Sequence, residues 1–242
     1  MIAAYINEVP PASSTPEAHD PAEVAAVQAA LSGRLWPRLK LGINALTRVM
    51  KDPDDTTQVL VLFLCINARH VPQFMMRFLS EPDGLALMRE QPSIDTRSVD
   101  FDALRKLPPD TLGYAFARHL DARNLSPDVF HAPPGVPPAF AYLGQRLRQS
   151  HDIWHVLTGY DTTVPDELSL LAFSHGQAHM PGPAVLAVLG ALRWFPKHRD
   201  IFARVARGFR RGRAARSMIT ARWEDLWALP LAEVRARYAI AD

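Results

Sequence analysis

Apolar residues recur at the helical period along most of the chain. From Val24 onward, Val27, Leu31, Leu35, Leu39, Ile43, Leu46 and Met50 follow one another at intervals of three or four. That spacing puts them on one face and predicts a helix, kinked or divided at Pro37. After the turn signal Asp52-Pro53-Asp54-Asp55, the stretch Thr57 to Leu79 begins apolar on nearly all sides, which predicts a buried helix or two. For the run Val59–Ile66 a strand is the alternative. Leu107-Pro108-Pro109 closes a segment, Asp110 stands where it can cap a helix carrying Leu112, Phe116 and Leu120, and Ser126-Pro127-Asp128 is a second start signal. His131 to Pro138, with four prolines and a glycine, predicts a rigid connecting loop. Beyond it Phe140, Leu143 and Leu147 lead at the same spacing to His151 and His155. Gly159 marks a helix end, and Thr163-Val164-Pro165-Asp166 reads as a capping box with proline in the first turn.

The sequence has no strand–turn–strand pattern, no internal repeat and no glycine-rich phosphate loop. It therefore predicts an all-α fold: a single-domain irregular helical bundle over residues 22–242, with its chemistry on a helix hairpin. Pro10, Pro11, Pro16 and Pro21, with Ser13, Ser14 and Thr15, predict a flexible N-terminal arm over residues 1–21.

Composition narrows the class. A length of 242 residues suits one core, and 48% hydrophobic with 21% charged residues is globular in balance. The one cysteine, Cys65, lies in the apolar run and rules out an intramolecular disulfide. The longest apolar run, Val59–Ile66, falls far short of the ~20 residues a spanning helix needs. The first residues show no basic-then-apolar leader and carry Glu8, Glu17 and Asp20. The expectation is a bacterial cytoplasm, with peripheral contact to the inner face of the membrane. A net charge of +2 argues against nucleic acid as a partner. The bases are clustered, however. Between Arg199 and Arg216, Ile201, Phe202, Val205 and Phe209 alternate with Arg204, Arg207, Arg210 and Arg211. Such a helix is either a solvated surface face or one that lies on an anionic membrane.

The candidate chemistry centres on His151 and His155. Two imidazoles four residues apart lie one above the other on a helix, close enough to share an ion. The pair alone leaves two structural histidines equally open. Glu167 falls at the start of the next helix, and an antiparallel hairpin would bring it beside them. Two neutral nitrogens and a carboxylate leave a position for water or substrate. Asp152 lies about 100° around the helix from His151, so it ligates only if the face is distorted and otherwise orients a ligand or handles a proton. Surface carboxylates, with Glu167 stabilising a helix N-terminus, are the plainer reading. His175 and His179 form a second four-residue pair, as core residues, proton-transfer groups or alternative ligands. A metallopeptidase is disfavoured because Asp152 stands where His-Glu-x-x-His has glutamate. A phosphohydrolase of the HD type would need a further His and Asp, for which His119, His131 and Asp200 are candidates by composition.

His151-Asp152-Ile153-Trp154-His155, followed after eleven residues by Glu167, resembles the motif of the coenzyme Q (ubiquinone) biosynthesis protein family called Coq-four. The resemblance extends to Ala141-Tyr142, Gln145-Arg146, Leu170, Ala172-Phe173 and Gln177. More weakly it includes Leu107 to Gly113, Trp223-Glu224 and Leu231 to Ile240. The chain departs from the pattern at Leu147-Arg148, where Tyr-Arg is common, at Asp166, where Gly is common, and at His175 and His179. The resemblance implies a divalent metal held by His151, Asp152, His155 and Glu167, zinc in the first instance, with iron or another divalent ion also suited to such ligands. It implies removal of the ring carboxylate of a polyprenylated 4-hydroxybenzoate-derived precursor, with hydroxylation at the same carbon and Asp152 as a catalytic group. Implied partners are that polyprenylated aromatic substrate, other ubiquinone biosynthesis enzymes and a second copy in a homodimer. The alternative is a non-catalytic, metal-stabilised scaffold that binds a polyprenyl lipid and organises those enzymes.

Overall fold

The computed structural model describes residues 21–31, 34–51, 56–128 and 135–240. The helices run in the order α1 (Pro21–Leu31), α2 (Leu35–Lys51), α3 (Thr56–Asn67), α4 (Val71–Ser80), α5 (Gly84–Glu90), α6 (Phe101–Arg105) and α7 (Leu112–Arg123). They continue with α8 (Pro138–Thr158), α9 (Val164–Ala178), α10 (Pro181–Trp194), α11 (Ile201–Ala214), a 3-10 turn at Trp223–Asp225, and α12 (Leu231–Arg237). Among the described residues there is no strand, only one isolated bridge between Thr111 and Pro230, so Val59–Ile66 is helical. The predicted long helix from Val24 is divided between Leu31 and Leu35, ahead of Pro37 rather than at it. Pro37 sits in the first turn of α2, where its missing N–H breaks no helical bond. Of the expected arm, only Pro21 is among the described residues, and it opens α1. The turn at 52–55 and residues 131–134 of the proline loop lie outside them.

Helix starts show where local chemistry departs from the predicted signals. Thr111, not Asp110, caps α7, its hydroxyl accepting from the Tyr114 N–H, while the Asp110 carbonyl accepts from the Leu231 N–H at 2.7 Å. Residues 126–128 are themselves not helical, and the stretch that Ser126-Pro127-Asp128 would open, 129–134, lies outside the described residues; the Asp128 carboxylate accepts from the Thr96 N–H and hydroxyl, at 2.9 and 2.7 Å.

The main core joins α6, α7, α8, α9 and the C-terminal segment around Phe101, Phe116, Trp154, Phe173 and Trp223. Trp154 and Trp223 are almost fully buried. Each removes on the order of 150–250 Å² from water, roughly 4–6 kcal/mol as an upper bound. Buried Arg146 ties α8 to the 3-10 turn, donating to both Glu224 oxygens at 2.6 and 2.9 Å and to the Ala221 carbonyl at 2.8 Å. A second cluster packs α4 and α5 on the first half of α8, and a third joins α2 and α3 at Ala45, Val61, Leu62 and Cys65. Burial pushes the Cys65 thiol up to about 11 against the opposing pull of Arg38, so it is held as a neutral apolar group.

Helix α11 lies very close to α9. A Cβ added at Gly208 would stand 2.2 Å from the Ser169 carbonyl oxygen, and one at Gly212 would stand 2.3 Å from that of Phe173. Only glycine permits this approach.

Candidate metal centre

The α8–α9 hairpin is set by its turn. Gly159 closes α8 in the left-handed conformation, φ 73°, and its N–H donates to the His155 carbonyl at 2.9 Å. The capping box expected at Thr163 does not form. Thr163 offers no side-chain cap, and the Glu167 N–H donates to the Thr163 carbonyl at 2.8 Å. Asp166 is occupied elsewhere, accepting from the Asp161 N–H at 3.3 Å and pairing with Arg204 at 3.4 Å. The Glu167 side chain turns toward α8. Its Oε1 lies 3.2 Å from His155 Nε2 and its Oε2 lies 3.5 Å from His151 Nε2. The two rings stand edge to face, centroids 4.9 Å apart at 89°. One donor atom from each of His151, His155 and Glu167 falls within 4.8 Å of the other two.

Hydrogen bonding fixes the tautomer of the deepest residue of the cluster. His155 is buried, and its Nδ1 lies 3.0 Å from the Tyr160 carbonyl. A carbonyl oxygen can only accept, so Nδ1 carries the proton and the neutral ring presents the Nε2 lone pair to the centre of the cluster. Burial works against charging this ring, but the Glu167 carboxylate and the Tyr160 carbonyl outweigh it and hold the His155 pKa above its ordinary value. Burial likewise opposes the Glu167 anion, yet His151 and His155 hold its carboxyl far below the usual range. Without a cation, a proton bridges the cluster. A divalent ion satisfies the same lone pairs with more charge, so two imidazole nitrogens and a carboxylate on an open, half-buried rim fit such an ion and leave room beside it.

The fourth residue of the motif points elsewhere. Asp152 is buried on the flank of α8, and Arg148, one turn earlier, donates to its Oδ2 at 2.8 Å. It adjoins a recess lined by Ile94, Phe116, Ser126, Pro127, Arg148 and Gln149. The helical period accounts for this placement: consecutive residues cannot share a face. Sequence reasoning missed the Arg148–Asp152 pair, although its four-residue spacing signals it. It also gave His119 too little weight. From α7, buried His119 stacks on His155, centroids 5.3 Å apart, and its Nε2 has no hydrogen-bond partner among the described residues. Burial, then Arg123 and His155, pushes its pKa down to about 4. Of the other phosphohydrolase candidates, Asp200 pairs instead with Arg204 at 2.6 Å, and His131 lies outside the described residues.

The second histidine pair is not a donor cluster. His175 Nδ1–H donates to the Met180 carbonyl at 2.8 Å, and the ring stacks on Phe209. His179 ends α9 in the left-handed conformation, and its Nδ1 accepts from Arg77 at 2.8 Å. The α11 arginines divide as well. Arg204 pairs with Asp200 and Asp166, Arg211 donates to the Thr158 carbonyl at 3.0 Å and lies over the Tyr160 ring, and Arg207 and Arg210 are exposed.

An all-helical fold with a His-His-Glu cluster across one hairpin defines a class of helical proteins whose side chains could hold a metal ion. The family model described as "Coenzyme Q (ubiquinone) biosynthesis protein Coq4" matches residues 30–242. The chain belongs to this family. "Ubiquinone biosynthesis protein COQ4, mitochondrial" of Uncinocarpus reesii is 32% identical over 160 residues, which is 65% of this chain and 57% of that protein. The Xenopus tropicalis "COQ4 homolog, mitochondrial" is 28% identical over 210 residues, covering 84% of this chain and 73% of that one. The chain thus spans little more than half the length of some curated relatives it matches. A crystal structure from Nostoc punctiforme PCC 73102, of a protein provisionally assigned to ubiquinone biosynthesis, superposes with a TM-score of 0.68 at 25% identity, covering 85% of this chain and 97% of that one.

These relatives correct the expected bacterial cytoplasm, because the curated ones named above are mitochondrial. That expectation rested on acids among the first twenty residues, and a folded domain's composition carries no compartment signal. Among the described residues, no helix is long and apolar enough to cross a membrane.

Proposed function

We propose that the chain catalyses a metal-dependent oxidative decarboxylation in ubiquinone biosynthesis, acting on a polyprenylated 4-hydroxybenzoate-derived precursor: the bond from the ring to the carboxylate breaks with release of carbon dioxide, the same ring carbon gains a hydroxyl from water, and dioxygen takes up the two electrons as hydrogen peroxide. The observation that carries this reading is the His151–His155–Glu167 cluster, with His155 Nε2 aimed inward by the Tyr160 carbonyl. A divalent ion there, zinc or iron, would supply Lewis-acid stabilisation of the charge that develops as carbon dioxide leaves. The chain's own residues position and move protons around it. His151 and His155 would present their Nε2 atoms to the ion, and the Glu167 carboxylate would balance its charge. Arg148 orients the Asp152 carboxylate on the flank, where it would take or return a proton at the ring hydroxyl.

The test is single-turnover assay of metal-loaded protein, with dioxygen and a short-chain prenylated 4-hydroxybenzoate, scoring both carbon dioxide and the hydroquinone. Loss of turnover in Asp152→Asn at normal metal content, by about 100-fold or more, is expected of a proton-handling group. Tight substrate binding without product, alone and in a membrane extract lacking only this protein, would leave the scaffold reading in its place.

A further inference from the structure

Helix α2 has three faces. On a helix of about 100° per residue, Leu41, Gly42 and Ala45 fall on one side, and this side meets α3: Ala45 is buried with Val61, Leu62 and Cys65, and a Cβ on Gly42 would stand 3.4 Å from that of Cys65. Leu35, Trp36, Leu39, Ile43 and Leu46 share a second arc of about 100°. All five are exposed, Trp36 at 79% and Ile43 at 60%. Lys40, Asn44, Thr47, Arg48 and Lys51 fill the third face, also exposed. The helix holds Arg38, Lys40, Arg48 and Lys51 and no acidic residue.

A solvated surface helix keeps its apolar stripe against the core, but α2 directs five large apolar side chains away from it. We propose that α2 is a membrane-docking helix whose occupant is an anionic phospholipid surface. The Leu35–Leu46 stripe enters the boundary between headgroups and acyl chains, Trp36 sits at headgroup level, and Lys40, Arg48 and Lys51 lie on the phosphates. Charge argues against a second copy of the chain on this face, because an α2–α2 contact would bring Lys40, Arg48 and Lys51 of both copies, six cations, together without an acid from either helix. The arginine-rich α11 is less suited. Its glycine face is closed by α9, and Arg204 and Arg211 are engaged within the fold. This inference stands apart from the proposed chemistry and does not depend on the metal.

The experiment is co-sedimentation of the full chain with vesicles of phosphatidylcholine alone or mixed with phosphatidylglycerol, at low and high salt. Wild type is expected to bind the anionic vesicles and to be released by salt. Trp36→Ser/Ile43→Ser should lower that partition by roughly tenfold or more. Lys40→Gln/Arg48→Gln/Lys51→Gln should reduce it to the phosphatidylcholine level, and Arg207→Gln/Arg210→Gln should leave it within about twofold. None of these side chains is buried, so circular dichroism and thermal melting should match wild type. Lipids brominated in the acyl chain should quench wild-type tryptophan fluorescence, and the conservative Trp36→Phe change should remove that quenching. Failure of wild type to bind anionic vesicles at low salt, or binding that survives both α2 variants, overturns the proposal. So does a dimer, seen by light scattering, that binds no vesicle and dissociates in Trp36→Ser/Ile43→Ser.

Discussion

Two histidine pairs with the same four-residue spacing sit on consecutive helices, and only one of them faces a carboxylate. His155 and His175 are even held alike, each donating its Nδ1 proton to the carbonyl five residues on. The pairs diverge at the second member. His151 stays within the helix, on the face that Glu167 approaches, whereas His179 occupies the left-handed cap of α9 and turns to Arg77. Burial, with Arg77 and Arg213 nearby, holds the His179 pKa below its ordinary value. A carboxylate neighbour attracts a cation, and a guanidinium neighbour repels one. Spacing selects the candidates, and the third group decides between them.

The largest effect expected from breaking this contrast is on metal content. His155→Ala should lower affinity for a divalent ion by about 100-fold or more, and His175→Ala should change it little, with both variants retaining helicity. Elemental analysis and competition with a chelator measure this; equal occupancy in the two variants would sink the site assignment.

Acidity separates the loaded from the unloaded site. In the metal-free protein the raised His155 pKa contributes stability that is full below its ordinary 6.5 and is lost as pH rises through the folded value. The lowered Glu167 pKa contributes stability present above its ordinary 4.5 and lost as pH falls toward the folded value. The ion pair is thus strongest between those two pH values. Metal binding runs the other way, since the ion must displace the His155 proton. Below the folded His155 pKa, affinity should rise about tenfold per pH unit for the one proton released. Thermal melts with and without metal across this range check the sign; a metal-induced shift that grows on acidification would contradict it.

The smallest effect belongs to the turn. Gly159 has φ 73° and an added Cβ would meet nothing within 4 Å, so Gly159→Ala carries only backbone strain, about 1–2 kcal/mol. Denaturant melts should register that loss, together with weaker metal binding as the Tyr160 carbonyl shifts. A variant as stable as wild type would mean that the turn relaxes at no expense.

What was legible in the sequence was whatever repeats locally. The helical period gave the elements, Gly159 gave the turn, and His151, His155 and Glu167 follow from one hairpin. Contacts that depend on distant segments were not legible. Arg146 and Glu224 both belong to the stretches that carry the family resemblance, yet nothing in the sequence says that they bond each other. His119 comes to His155 from a helix whose own pattern shows only a core face. In place of the expected capping box at Thr163, Asp166 meets the Asp161 N–H and Arg204 on α11, and the second of these partners is one that no local window contains.

The α9–α11 contact has a consequence at the other side of the hairpin. Gly208 meets the carbonyl of Ser169, two residues past Glu167, with room for a hydrogen atom and nothing larger. A single methyl group at Gly208 would therefore push α9 and α11 apart, and whatever part of that movement α9 takes up would carry the Glu167 carboxylate away from the two imidazoles on α8. The spacing of the three donor atoms thus depends on a place that touches none of them, and a lesion there would mimic the loss of one of these side chains while all three were still present.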